Sequence, residues 1–543
     1  MLHIPQTSAV LATDEVAATS AHFYLIGGGI ASLAAAAFLI RDGHISGHHI
    51  TIIEQLDRLG GSLDGTGDPQ YGYLIRGGRM FESKYRCTYE LFDSIPTLDN
   101  SRSVSEEIRH WNEVIRTGSK ARLVRNGCKI DSPEFGLSER HILTLTRLGV
   151  EPESMLGDST ISDHFDAEFF ESNFWLMWCT TFAFQPWHSA VEFKRYLLRF
   201  VHMIDGFNQL KGIMRTVYNQ YDSLVRPLKK WLDQRGVRYL TGARVLDLGV
   251  AGLPGQRRIS QIDCERHGQP HRIVLGPNDY AIVTLGSMTD ASTSGGHDHP
   301  APLLGKEQGS AWPLWEKLAT GRPELGRPAA FADHIEQSKW LSFTVTLRDP
   351  ALFAHVRDFT GNVPGEGGLI TFADSNWLLS IVLPFQPHFR DQPESVQVMW
   401  GYGLNMTRPG NFVAKPMGEC SGRELLTEVL GHLGVPQDQH DAIIDNATCI
   451  PCLMPFITSQ FLRRAEGDRP QVMPEGWRNL ALVGQFVELP EDVVFTVEYS
   501  IRSAQAAVAG LLELDTAPPP VYKGQFNPAV LARAFTVLHD MGT

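Results

Sequence analysis

The sequence predicts an α/β fold: a discontinuous Rossmann-like dinucleotide-binding domain joined to a mixed α+β domain, with a C-terminal helical segment. Three stretches predict it. HFYLIGGGIASLAAAAFLIRDG, from His22, reads as strand, glycine turn and helix. HITIIEQ, from His49, reads as a second strand ending at an acid, Glu54. NLALVGQFVELPEDVVFTVEYSIRSAQAAVAGLL, from Asn479, reads as strand, glycine, loop and helix.

Phe23 to Ile26 is a short apolar run suited to a buried strand. Gly27, Gly29 and Ser32 then stand at the G-x-G-x-x-G positions, with serine as the small third residue. Ala31 to Ile40 is rich in alanine and leucine, strong helix formers. Glycines here let a pyrophosphate approach the helix N-terminus, where free N–H groups and the helix dipole favour anions. Glu54 follows about 25 residues later, where a carboxylate can bond a ribose 2′-hydroxyl. The glycines alone would mean only a tight turn; strand, glycines, helix, strand and terminal acid together point to a dinucleotide.

Two features favour FAD over NAD. DRLGGSLDG places a second glycine turn, with Gly61 and Ser62, close behind the acid. The C-terminal strand ends at Gly484, and its helix, opened near Phe495 and Thr496, carries Ile501, Ala504, Val508, Leu511 and Leu512 on one face. That helix N-terminus would favour negative charge on a flavin ring. GVRYLTGARVLDL through DYAIVTLGSMT supplies further strands of the same sheet. The FAD-binding domain is therefore assigned to residues 1–95, 215–300 and 475–515. A substrate domain takes 96–214 and 301–474, and residues 516–543 form a linker and helix.

Composition narrows the partners. A net charge of −13 supplies no basic surplus for nucleic acid. Seven cysteines, an odd number, make no secreted disulfide framework, and the lone pair Cys449 and Cys452 has no second pair to complete a zinc site. No metal is expected. MLHIPQTSAVLATDEVAATS lacks the basic start of a signal peptide, and the longest apolar run, Ile30 to Ile40, is too short to span a bilayer. A cytoplasmic location is the expectation.

Leu91 to Thr216 reads as helical. Within it FFESNFWLMWCTTFAFQPWHSAVEFKRYLLRF holds seven Phe and three Trp, which build either a large core or a long apolar pocket for a lipid-like ligand. Phe193, Tyr196, Leu197 and Phe200 repeat at helical spacing, so Tyr196 faces inward with a phenol that needs a partner. For Gln220, in VYNQYDSLVRPL, the pattern leaves an ordinary helix-surface amide open beside a site role. LITFADSNWLLSIVLPFQPHF reads as two strands. At the end, Val530, Leu531, Ala534, Phe535 and Leu538 make an apolar stripe on a short helix. Docking on the body is favoured over peripheral membrane contact.

These segments, with RGGR, ELFDSIPTL, YNQYDSL, TLGSMT, WGYGL and GQFVELPEDVVFTVEYSIRSAQ, resemble the oleate hydratase family, once called myosin-cross-reactive antigens, over most of the chain. The resemblance implies an FAD-requiring enzyme, a hydro-lyase, that adds water across the cis-9 double bond of oleate-like free fatty acids to give 10-hydroxy acids, without net redox. It implies Tyr196 as proton donor, Gly78 and Arg79 as flavin contacts, and Gln220 and His388 against the fatty acid. Where the family has a water-holding glutamate, directly after RGGR, this chain has Met80, and a thioether cannot activate water. Glu82 is the nearest carboxylate. It is expected to take that role if its loop turns inward; the alternative is a solvent-facing side chain. Two polar residues that precede QPHF in some relatives correspond to Val382 and Pro384. These departures suggest a divergent branch. A flavin oxidoreductase of the amine-oxidase or desaturase type acting on a lipid, and a lipid-binding flavoprotein without turnover, stay open at this point. The sequence carries no signal for oligomeric state.

Overall fold

A computed structural model of the chain describes residues 21–131 and 133–539; the expectation about the N-terminal twenty residues lies outside them. A five-stranded parallel sheet runs in the order Leu480–Val483, Tyr280–Thr284, Phe23–Ile26, Ile50–Ile53, Arg238–Leu240. Phe23 is in register with Ile50 on one side and Tyr280 on the other. The first strand is thus where the strand order reverses, and a crevice opens beyond its carboxyl end at Ile26. The helices Ile30–Arg41 and Val497–Leu511 pack together on this sheet, burying Leu33, Phe38, Ile501 and Val508.

An antiparallel three-stranded sheet, Ala243–Ala251, Arg258–Arg266 and Gln269–Val274, follows the parallel strand Arg238–Leu240. The second large layer is an eight-stranded sheet whose third strand from one edge, Trp340–Leu347, is buried at every residue. Its edges are Thr293–Ser294 and Cys128–Asp131. Thr293–Ser294 falls within the 215–300 segment but pairs with this second sheet.

One expectation is corrected here. Leu91 to Thr216 is not helical throughout, because Ala121–Arg125 and Cys128–Asp131 form a hairpin at the sheet edge. Its turn is Asn126-Gly127, both in the left-handed region at φ 51° and 68°, the geometry a tight two-residue hairpin needs. Cys449 and Cys452 sit three apart on the strand Ala447–Met454, so they point to opposite faces. Both are buried free thiols; burial pushes Cys452 up to about 11.

The C-terminal helix Pro528–His539 buries Ala534 and rests Val537 and Leu538 against the core, leaving Leu531 and Phe535 exposed. Among the described residues, no helix is long and apolar enough to cross a membrane.

Candidate functional site

Two cavities lie on either side of a contact between Arg79 and Met288. The first, about 1500 Å³ of empty space, is lined by Gly27, Gly29, Ala31, Glu54, Gly61, Ser62 and Gly484. Gly29 caps the first helix without a side-chain partner for the free N–H groups, and a Cβ there would meet nothing within 4 Å. The helix N-terminus therefore faces open space, a ready anion site. Gly61, at φ 57°, brings its backbone so close that a Cβ would lie 3.1 Å from the Gly29 Cα. Glu54 closes this end: Oε2 accepts from Gly28 N–H at 2.6 Å and Oε1 from Leu56 N–H at 2.8 Å. Burial raises its carboxyl above the ordinary value, against the pull of those donors. Sequence reasoning missed the opposite wall, Ser287, Met288 and Ser310.

Five residues expected at the cofactor do not line this cavity: Gly78, Arg79 and Phe495 line the second one, and Ser32 and Thr496 line neither. Ser32 is fully buried with its hydroxyl 3.2 Å from that of Thr284, packing helix onto sheet. Thr496 caps its own helix, accepting from Tyr499 N–H at 3.1 Å while donating to the Val493 carbonyl.

The second cavity holds about 970 Å³ of empty space and is mostly apolar. Gly78, Arg79, Met80, Gln220, His388 and Phe495 all reach its wall, with Trp111, Arg215, Trp340, Trp400 and Tyr402. None of its described lining residues is Asp or Glu. Val382 and Pro384 line it too, with apolar atoms where carboxylate recognition was expected to differ.

Gln220 is buried and braces the RGGR segment, so of the two readings its pattern allowed it is not the surface amide. Its Oε1 accepts from Arg79 N–H at 3.3 Å, and its Nε2 donates to the Arg79 carbonyl at 3.2 Å and to Thr216 at 3.3 Å. Burial brings His388 down to about 4, so its imidazole is neutral near pH 7. Arg79 joins the two cavities. Its Nη2 reaches the Met288 sulfur at 3.6 Å, and its guanidinium lies 4.7 Å from the Phe495 ring centroid. Burial lowers it to about 10.

The sequence pattern of the MCRA family matches residues 20–509. The chain belongs to the MCRA family. It is 38% identical over 528 residues to an oleate hydratase of Streptococcus pyogenes serotype M49 (strain NZ131), covering 95% of this chain and 89% of that one. It is 32% identical over 530 residues to a linoleate hydratase of Lactiplantibacillus plantarum, covering 89% and 92%. The fold is shared with cyclohexylamine oxidase from Brevibacterium oxydans IH-35A at a TM-score of 0.51 and 12% identity, over 91% of this chain and 99% of that one.

In this MCRA-family chain neither expectation for Glu82 describes its position. Glu82 is 1% exposed, so it does not face solvent. Nor does it line either cavity: Oε1 pairs with Arg199 at 2.8 Å and Oε2 accepts from Lys84 N–H at 2.6 Å. The chain of charges continues from Arg199 to Asp492 at 3.4 Å, to Arg502 at 2.8 Å and to Glu498 at 3.0 Å. Glu498 in turn accepts from the N–H groups of Cys87 and Thr88, closing the N-terminus of the helix Arg86–Asp93.

Tyr196 lies one layer behind the apolar wall. It packs against Phe182 and Phe184, on either side of the wall residue Ala183, and its hydroxyl donates to the Val494 carbonyl at 2.6 Å, next to Phe495. Burial, reinforced by the Glu192 carboxylate, holds this phenol well above its ordinary value.

Proposed function

We propose that this MCRA-family chain is an FAD-dependent hydratase of unsaturated free fatty acids, with oleate-like acids as substrates. The contact between the cavities carries the reading: Arg79 belongs to the apolar wall and reaches the wall of the glycine-lined cavity at Met288. An acyl chain in one and a dinucleotide in the other would meet there. The hydratase relatives support the reaction class, and the apolar wall suits a long hydrocarbon chain.

The glycine-lined cavity fits FAD by its uncapped helix N-terminus and its buried Glu54. Gly27, Gly29 and Ala31 would hold the pyrophosphate, Glu54 a ribose hydroxyl, and Gly61, Ser62 and Gly484 the remaining backbone contacts. When bound, FAD supplies a redox-capable ring that is neither oxidised nor reduced overall in a hydration.

The protein's part is to orient the alkene, exclude bulk water and move one proton. Hydration adds a proton to one alkene carbon and hydroxyl to the other, and the proton leaving the attacking water restores the donor. Tyr196 is the proposed donor. Its high proton affinity keeps the phenol protonated near neutral pH, and its hydroxyl donates to the Val494 carbonyl, so this segment must move aside for the proton to reach the alkene. Met80 faces the cavity but cannot hold water as a base.

Incubating the FAD-loaded protein with oleate in ¹⁸O-labelled water tests the reading. Label in a hydroxy fatty acid is the expected result. Oxygen consumption without labelled alcohol would replace it with an oxidase. The acid-free wall favours one second reading, a flavoprotein that binds the lipid and does not turn it over; bound oleate with no product would establish that instead.

A further inference from the structure

Resting on the fatty-acid reading above, we propose that Arg215 is the anchor for the substrate carboxylate in the apolar cavity. Arg215 lines this cavity, yet no carboxylate among the described residues pairs with its guanidinium, and its Nε is buried without a hydrogen-bond partner. Its charge is held in an apolar wall; burial alone lowers it to about 10. A buried cation without a counter-ion is costly, and a carboxylate entering the cavity supplies one together with charge-assisted hydrogen bonds.

The backbone of Arg215 is fixed for that task. Its N–H donates to Asn112 Oδ1 at 2.9 Å, and Asn112 Nδ2 donates to its carbonyl at 2.8 Å. Gly368 leaves the guanidinium room, since a Cβ there would lie 3.0 Å from Arg215 Nη2. The other charged wall residue, Arg79, already packs on Phe495 and Met288 at the junction of the cavities. Neutral His388 lines the same cavity and feels the Arg215 charge. Val382 and Pro384 offer it nothing polar from their side chains.

The test compares oleate, methyl oleate and oleyl alcohol, below their aggregation limits, on FAD-loaded wild type, Arg215→Met and Arg215→Lys. Direct binding and hydration are both read. Wild type should bind oleate at least about tenfold more tightly than methyl oleate. Arg215→Met should weaken oleate about 10- to 100-fold and leave methyl oleate nearly unchanged, so that the acid preference vanishes. Arg215→Lys should keep part of it, because the charge remains and the planar fork is lost. For hydration the loss should sit in KM, with kcat at saturation little changed.

An Arg215→Met protein that still prefers the acid overturns the proposal. So does a wild type that binds ester and acid equally, a measurement that stands even if the variants do not fold. Wild type that prefers the acid but forms no labelled alcohol leaves the anchor standing and removes the hydratase reading.

Discussion

Replacing Glu82 by Gln separates a structural from a catalytic carboxylate. In the fold Glu82 accepts from Arg199 on one oxygen and from Lys84 N–H on the other, both inside the protein. An amide has one acceptor oxygen and one NH₂, so one of these donors would face another donor. Arg199 would keep Asp492 and the Lys84 carbonyl, each at 3.4 Å. Removing one partner of a buried ion pair costs about 3–5 kcal/mol, and this is the loss expected in urea unfolding of the FAD-loaded protein. Hydration per folded molecule should stay within about threefold of wild type, less than one kcal/mol of barrier. The pH dependence has a definite sign. Burial opposes ionisation of Glu82, but His202, Arg199 and Lys84 N–H outweigh it and hold the carboxyl below its ordinary value of 4.5. Its stabilisation is therefore present above that value and is lost as pH falls through the lower folded-state value. The variant should lose stability less steeply than wild type on acidification. Unchanged stability together with abolished hydration would refute this reasoning and return Glu82 to the reaction.

Met80→Glu places a carboxylate on the acid-free wall beside Arg79; initial hydration rates should rise, by up to about 10²-fold if water activation limits turnover. Tyr196→Phe removes only the phenolic hydroxyl and its bond to the Val494 carbonyl. Turnover should fall about 10²–10⁴-fold with FAD content retained, whereas a near-normal rate would leave Tyr196 a packing residue. Glu54→Ala should weaken FAD by roughly 1.5–3 kcal/mol, read by flavin fluorescence on titration; unchanged affinity would remove Glu54 from the site.

Local chemistry made the cofactor domain legible. The glycine turn, the helix behind it and Glu54 lie within about thirty residues, and the C-terminal strand, Gly484 and helix are again contiguous. The hairpin at Ala121–Asp131 was equally local. Its signal, the dipeptide Asn126-Gly127, stands in the sequence, and the helical reading of the region passed over it. The fate of Glu82 was not legible, because its partner Arg199 stands 117 positions away in sequence and no periodicity relates the two. The same holds for the apolar wall: Trp111, Arg215, Trp340 and Tyr402 come from four separate segments that only the tertiary fold assembles. The expected site residues Met80, Gln220 and His388 reach that wall, but the resemblance carried them there, not their spacing.

The cavity wall is rich in donors, and the neutral imidazole of His388 is the titratable side chain on it that can accept a proton; this narrows how water can be held. Arg79 and Arg215 are cations, and the indole N–H groups of Trp340 and Trp400 are buried without hydrogen-bond partners. The Gln220 oxygen is taken by Arg79 N–H, and the Tyr402 hydroxyl donates to the Thr180 carbonyl. Donors of this kind hold the oxygen of a water or a carboxylate but cannot accept the proton that an attacking water gives up. The alkene carbon also gains positive charge on protonation, which guanidinium groups on the same cavity wall oppose. A fatty acid seated with its carboxylate on Arg215 neutralises one of these charges before any proton moves. An anion bound in the adjoining cavity, beyond Met288, would act on the other at Arg79. On this argument the acyl site becomes competent only with both ligands present, and an oleyl ester or alcohol should be hydrated more slowly even at saturation if the Arg215 charge acts on the reacting carbon. If that charge is too distant to matter, the neutral analogues differ from oleate in KM alone.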